Sequence, residues 1–124
     1  MKLFYNNHDS LLLSVSRKEK QRLPELRKMF NNGLAPGYSI LVKAPFKIKR
    51  GGNEWMWVEI TQWTEVSITG ILQNDPFEID NLKAGAIVNV NESELFDYIL
   101  NKPDGTYEGN ETAKIIEQQN KNGL

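Results

Sequence analysis

The strongest constraint on the fold is a change of hydrophobic period at Tyr38, after which apolar residues recur at every second position. Alternation of this kind is typical of strands that bury one face. Turn-forming residues divide the pattern into five strands and a short return segment: 38–46, 54–63, 66–73, 86–90, 96–100 and 106–108. The connections are too short for parallel crossovers, so we predict a mostly antiparallel sheet.

A helix is predicted before the strands. Pro24 suits the first turn of a helix, because its missing amide would have no partner there. Leu23, Leu26 and Phe30 then share one face, and Gly33 can end the helix.

The ends of the chain carry weaker signals. Ser16 and Glu19 have the spacing of a capping box, and residues 1–15 are ambiguous, with a short strand as one interpretation. Asn110 is predicted to cap a C-terminal helix, while residues 119–124 are polar and expected to fray.

These elements predict one α+β domain spanning residues 1–124. Its expected architecture is a mostly antiparallel curved sheet, or a small partly open barrel, of about five strands with an N-terminal and a C-terminal helix.

Composition narrows the classes of function. The 15 basic and 16 acidic residues give a net charge of −1, which disfavours nucleic acid as a partner. Without cysteine, the chain has no disulfide, thiol nucleophile or thiolate metal site. No segment approaches the ~20 apolar residues that cross a bilayer. We therefore expect a cytoplasmic protein with no membrane partner, cofactor or metal site.

The segment 54–63 contains all three tryptophans of the chain. Regular alternation would place on one face the residues Trp55, Trp57, Glu59, Thr61 and Trp63. Each tryptophan buries roughly 150–250 Å², so an exposed trio would rival the largest apolar patch of most monomers. Two interpretations are compatible with the pattern. The tryptophan face is covered by a ligand or partner, or it is covered by the helix that carries Leu26 and Phe30.

A second candidate is the turn at the end of the third strand. Asn74 and Asp75 precede Pro76, and such residues commonly bond their own backbone in turns. In a functional interpretation, Asp75 would join Glu78 and Asp80 in an acidic rim for a cation or a basic partner. The loose spacing and the absence of histidine favour the structural turn.

Several strings resemble those of a known family. They are Leu23-Pro24-Glu25-Leu26, Leu41-Val42-Lys43-Ala44-Pro45-Phe46, Asn53-Glu54-Trp55-Met56-Trp57-Val58-Glu59-Ile60, Gly70-Ile71-Leu72-Gln73-Asn74-Asp75-Pro76 and Leu82-Lys83-Ala84-Gly85. Over about residues 17–118 the chain resembles the bacterial domain of unknown function 2314. It departs from that pattern at Ala86, where aspartate is expected, and at Asn110, in a string where Gly-Gly-Tyr-Thr is common. The resemblance implies a bacterial protein and brings no reaction, cofactor or catalytic residue.

No phosphate-binding loop or catalytic string occurs in the sequence. The leading hypothesis is therefore a non-enzymatic module that engages a protein partner through the tryptophan face or the turn at Asn74 and Asp75; in one version it is a regulatory or immunity-type protein that neutralises a toxin. One alternative is a small-molecule site, with Trp55 or Trp57 stacking on the ligand. The other is an enzyme using carboxylate acid–base chemistry, which requires a carboxyl with a raised pKa in a cleft. The sequence does not specify an oligomeric state.

Overall fold

The alternating segments pair into a single antiparallel sheet. The computed structural model describes residues 5–121, with side chains from residue 10 onward. Its strands are β1 (Ser39–Lys47), β2 (Asn53–Thr64), β3 (Ser67–Leu72), β4 (Ile87–Asn91), β5 (Asp97–Asn101) and β6 (Tyr107–Gly109). Their order across the sheet is β4-β3-β2-β1-β5-β6, so β4 and β6 are edges and the sheet is not closed.

Within residues 5–121, three α-helices accompany the sheet: α1 (Tyr5–Lys20), α2 (Leu23–Asn31) and α3 (Glu111–Lys121). A single 3₁₀ turn, Glu92–Glu94, joins β4 to β5. The predicted α+β class, with helices at both ends of an antiparallel sheet, is confirmed. None of the described helices is both long and apolar enough to cross a membrane.

The beginning of the chain differs from the prediction. Residues 11–15 lie within α1 and form no strand, and Ser16 lies inside the same helix without capping it. The Ser16 hydroxyl instead donates to the Phe96 carbonyl, 2.5 Å away. Contacts with β5 and α3 therefore override the local alternation, as tertiary packing often does for weak propensities.

One face of the sheet forms the core. Val42 lies between Val58 and Tyr98 in the register, and all three side chains are buried. Helix α2 covers this face with Leu23 and Leu26, as predicted. Full burial of one such leucine stabilises the fold by ~1.5–3 kcal/mol. We call this side of the sheet the core face.

The chain turns sharply between β6 and α3. Gly109 and Asn110 both have positive φ angles, of 98° and 60°. A side chain at Gly109 would collide with the Tyr98 carbonyl and ring, so only glycine fits there. Asparagine tolerates the left-handed region better than most residues. Asn110 can therefore occupy the position of the second glycine in the Gly-Gly-Tyr-Thr string.

Candidate functional site

Strand β2 does not alternate along its whole length. Ile60 and Gln62 pair with consecutive residues of β3, so Thr61 is the extra residue of a β-bulge. Beyond the bulge the face of every side chain shifts by one position, and Trp63 pairs with Ile68 on the core face. The prediction that three tryptophans share one face is therefore wrong.

Trp63 lies beneath α2, with 2% of its surface exposed. Its ring lies 6.4 Å from that of Phe30, and the Arg27 guanidinium lies 5.9 Å from its centroid. The indole N–H donates to Glu92 Oε1 at 2.8 Å, and Arg27 Nη2 lies 2.7 Å from Glu92 Oε2. The predicted cover by the helix is thus confirmed for this tryptophan, whose surroundings make it part of the core.

Trp55 and Trp57 precede the bulge and lie on the other side of the sheet, which we call the open face. Trp55 is 43% exposed and Trp57 is half-buried. The same face carries a row that crosses neighbouring strands, in which Glu59 pairs with Ile71 and Ile71 with Ile87. Ile71 is 36% exposed and Ile87 77% exposed. Aromatic and aliphatic groups are therefore open to solvent over three adjacent strands.

Helices α1 and α3 cover the other end of the open face. Between them and the sheet lies a cleft of ≈ 280 Å³ lined by Leu12, Lys43, Trp55, Phe96 and Ile116. The Trp55 and Phe96 ring centroids are 5.3 Å apart, and Lys43 Nζ lies 5.7 Å from the Phe96 centroid. Burial lowers the pKa of Lys43, and the Asp97 charge partly opposes this effect. We call this site the aromatic cleft.

A buried carboxylate caps α3 in place of the predicted Asn110. Asp97, only 1% exposed, accepts from the Thr112 amide at 3.1 Å and from the Thr112 hydroxyl at 2.5 Å. Its second oxygen accepts from the Tyr98 amide at 2.7 Å. Asp97 thus joins β5 to the first turn of α3, where the helix dipole favours negative charge.

Glu19 of α1 completes the same cap. Its Oε1 accepts from the Glu111 amide at 2.6 Å. Burial raises the pKa of Glu19 to about 7, against the lowering effect of that amide, and the nearby Asp97 adds to the rise. The raised pKa is what an acid–base enzyme requires, yet the carboxyl group is held by a helix amide. We therefore assign Glu19 to capping.

A cleft of ≈ 400 Å³ borders Glu19 at the β6 edge of the sheet. Arg22 lies there between α1 and α2, and its Nε donates to Glu108 Oε2 at 2.6 Å. The Tyr98 hydroxyl donates to the same oxygen at 2.6 Å. Arg22 lowers the pKa of Glu108, whereas burial and Glu108 raise the pKa of Tyr98. These bonds fasten the α1–α2 connection to the edge strand.

The turn after β3 is held by the side chains that were predicted as a second candidate site. Asn74 Oδ1 accepts from the Trp57 amide at 2.7 Å, and Asp75 Oδ1 accepts from the Ala84 amide at 3.0 Å. Glu78 forms an ion pair with Arg50 at 2.6 Å. Within residues 10–121, no three histidine, cysteine or acidic side chains converge on a common metal position. These contacts support the interpretation of Asn74 and Asp75 as structural turn residues.

Sequence reasoning located Trp55, Trp57 and Glu59 on the open face but missed Lys43, Phe96 and the two caps. Lys43 and Phe96 lie in different strand regions that only the β1–β5 pairing brings together. The sequence shows the alternating patterns that contain Lys43 and Trp57, but it does not show that these two residues pair across β1 and β2.

Comparison with known proteins gives one family. The family model described as an uncharacterized protein conserved in bacteria (DUF2314) matches residues 26–122, from α2 to beyond α3. No curated protein and no solved structure matches the chain.

Proposed function

The chain belongs to the DUF2314 family of uncharacterized proteins conserved in bacteria, and from its geometry we propose that it is a non-enzymatic module that binds a protein partner through the open face. One observation carries the proposal. The open face exposes apolar side chains on three neighbouring strands, namely Trp55, Ile71 and Ile87. This exposed surface lies beside the area that α1 and α3 cover. Large exposed apolar patches are common at protein–protein contacts.

The composition of the open face supports a protein partner. Aromatic residues are enriched among the residues that dominate binding energy, and the half-buried Trp57 lies near the centre of the sheet. Glu59 lies between Leu41 and Ile71 in the register, which places one carboxylate within the apolar row. A partner with a basic or hydrogen-bonding group opposite Glu59 would match this arrangement.

The test is affinity capture from the extract of the source bacterium, with Ile71→Asp as the disrupting variant. Val66→Asp is the matched control, because Val66 is also exposed but lies in the turn between β2 and β3. We expect a stoichiometric partner that the wild type and the control retain and that Ile71→Asp loses. The proposal fails if no stoichiometric partner is recovered, or if both variants retain it equally.

A further inference from the structure

The aromatic cleft has the size of an anchor site for one side chain. Its volume of ≈ 280 Å³ lies just below the usual range of roughly 300–1,000 Å³ for small-molecule pockets. Leu12 and Ile116 contribute aliphatic walls from α1 and α3, while Trp55 and Phe96 contribute rings tilted by 51°. Tilted rings at this separation leave faces and edges that suit a further aromatic ring.

Lys43 gives the aromatic cleft its charge. Among the lining residues that the structure describes, it is the single ionisable group, and it is half-buried. Between residues 10 and 121 no carboxylate lies within ion-pair distance of its ammonium. Asp97, opposite Lys43 in the register, is bound instead to Thr112. A desolvated ammonium in this position favours an anionic occupant.

The aromatic cleft is continuous with the open face. Trp55 lines the cleft, and Trp57, two residues further on the same face, pairs with Lys43. A polypeptide lying along the open face therefore reaches the cleft without crossing another element. This continuity favours a protein segment as the occupant.

We propose that the aromatic cleft receives a partner segment in which an aromatic residue is followed directly by an acidic one. The ring packs in the cleft against the accessible edges and faces of Trp55 and Phe96, and the carboxylate pairs with the Lys43 ammonium. This inference rests on the proposed function and identifies the chemistry of the partner.

The test uses two peptides that differ only in charge, acetyl-Phe-Asp-amide and acetyl-Phe-Asn-amide. Binding is followed by the chemical shift of the Trp55 indole N–H. We expect the acidic peptide to shift this signal saturably and to bind at least about threefold more tightly than the neutral peptide, as an ion pair of ~0.7 kcal/mol would give. The buried Trp63 indole should not respond.

Lys43→Met should abolish the preference for the acidic peptide while keeping a side chain of similar length. Lys47→Met is the matched control, because Lys47 is an exposed lysine of the same strand. If Lys43→Met does not fold, the salt dependence replaces it: the preference of the wild type must shrink as sodium chloride rises from low to high concentration. Equal binding of the two peptides, or a preference that survives Lys43→Met or high salt, would overturn the inference.

The two proposals can fail separately. If a partner is captured through Ile71 and the peptides do not bind at Trp55, the open face functions without this anchor and the inference is wrong. If the acidic peptide binds but does not displace the captured partner, the cleft is not the docking site and the inference is again wrong. If no partner is captured although the peptide preference is present, the proposed function fails, and the cleft remains a site for this peptide chemistry.

Discussion

The two faces of the sheet are covered by helices that are held in different ways. On the core face, α2 is held mainly by apolar contact, with Leu26 fully buried and Phe30 packed on Trp63, and Arg27 adds an ion pair with Glu92. On the open face, α3 is held at its first turn by Asp97 and Glu19, and its covering leaves Trp55 partly exposed. The contrast shows that one strand, β2, supplies a core anchor, Trp63, on one side and a partly exposed tryptophan, Trp55, on the other.

The difference has an electrostatic consequence. Apolar contacts under α2 do not titrate, whereas the cap of α3 includes the buried carboxyl group of Glu19, whose pKa is raised by burial. Burying such groups costs free energy unless hydrogen bonds offset it, and here the offset comes from the amides of Glu111 and Thr112. The attachment of α1 and α3 should therefore weaken as the pH rises through the raised pKa of Glu19, a change to which the apolar contacts of α2 do not respond.

The largest expected effect is on the core face. Trp63→Ala should lower the free energy of unfolding by about 3–5 kcal/mol, because it removes a large buried side chain and the cavity closes only partly. Urea unfolding measures the loss. Trp63→Phe is the milder companion, since it mainly removes the bond to Glu92. A loss below about 1 kcal/mol for Trp63→Ala would contradict the distinction between the faces.

The next effect concerns the cap of α3. Asp97→Asn keeps the shape of the side chain but loses the charge and places an amide donor among donors from Thr112 and Tyr98. We expect a loss of about 2–3 kcal/mol, typical of a buried charged acceptor. Hydrogen exchange should accelerate in α3 and α1 and remain slow in α2. Uniform acceleration in all three helices would contradict separate attachment.

The pH dependence sharpens the same contrast. Folding raises the pKa of Glu19 from 4.5 to about 7. The contribution of protonated Glu19 to the free energy of unfolding is therefore complete below pH 4.5 and is lost as the pH rises through about 7. Glu19→Gln imitates the protonated form. Relative to that variant, the wild type should lose about 2–3 kcal/mol between pH 4.5 and pH 8. Urea unfolding at both pH values measures this difference, and parallel profiles would refute the prediction.

The smallest expected effect is at the open face. Trp55→Ala should cost less than about 1 kcal/mol, because the side chain is partly exposed and its main aromatic contact is Phe96. The measurement is the same urea titration as for Trp63→Ala. If the two losses were equal, Trp55 would have a structural role and the open face would be a less suitable binding surface.

The strands could be predicted from the sequence because alternation is a local signal, and each predicted strand appears within a few residues of its expected position. The bulge at Thr61 could not, since the segment reads as regular alternation and only the pairing with β3 exposes the extra residue. The capping of α3 was equally hidden. Glu19 and Glu111 are 92 positions apart, and no local pattern connects them. On the open face, the positions of Trp55, Trp57 and Glu59 were predictable because these residues lie before the bulge.

The bond between Glu19 and the Glu111 amide joins two ends of a long stretch of polypeptide. During synthesis, α1 leaves the ribosome before its docking partners in β5 and α3 are made. Closing so long a loop is slow compared with pairing neighbouring strands. Nascent α1 therefore lacks its contacts with β5 and α3 until those residues are made. Neighbouring strands can pair before α1 and α3 pack on the sheet.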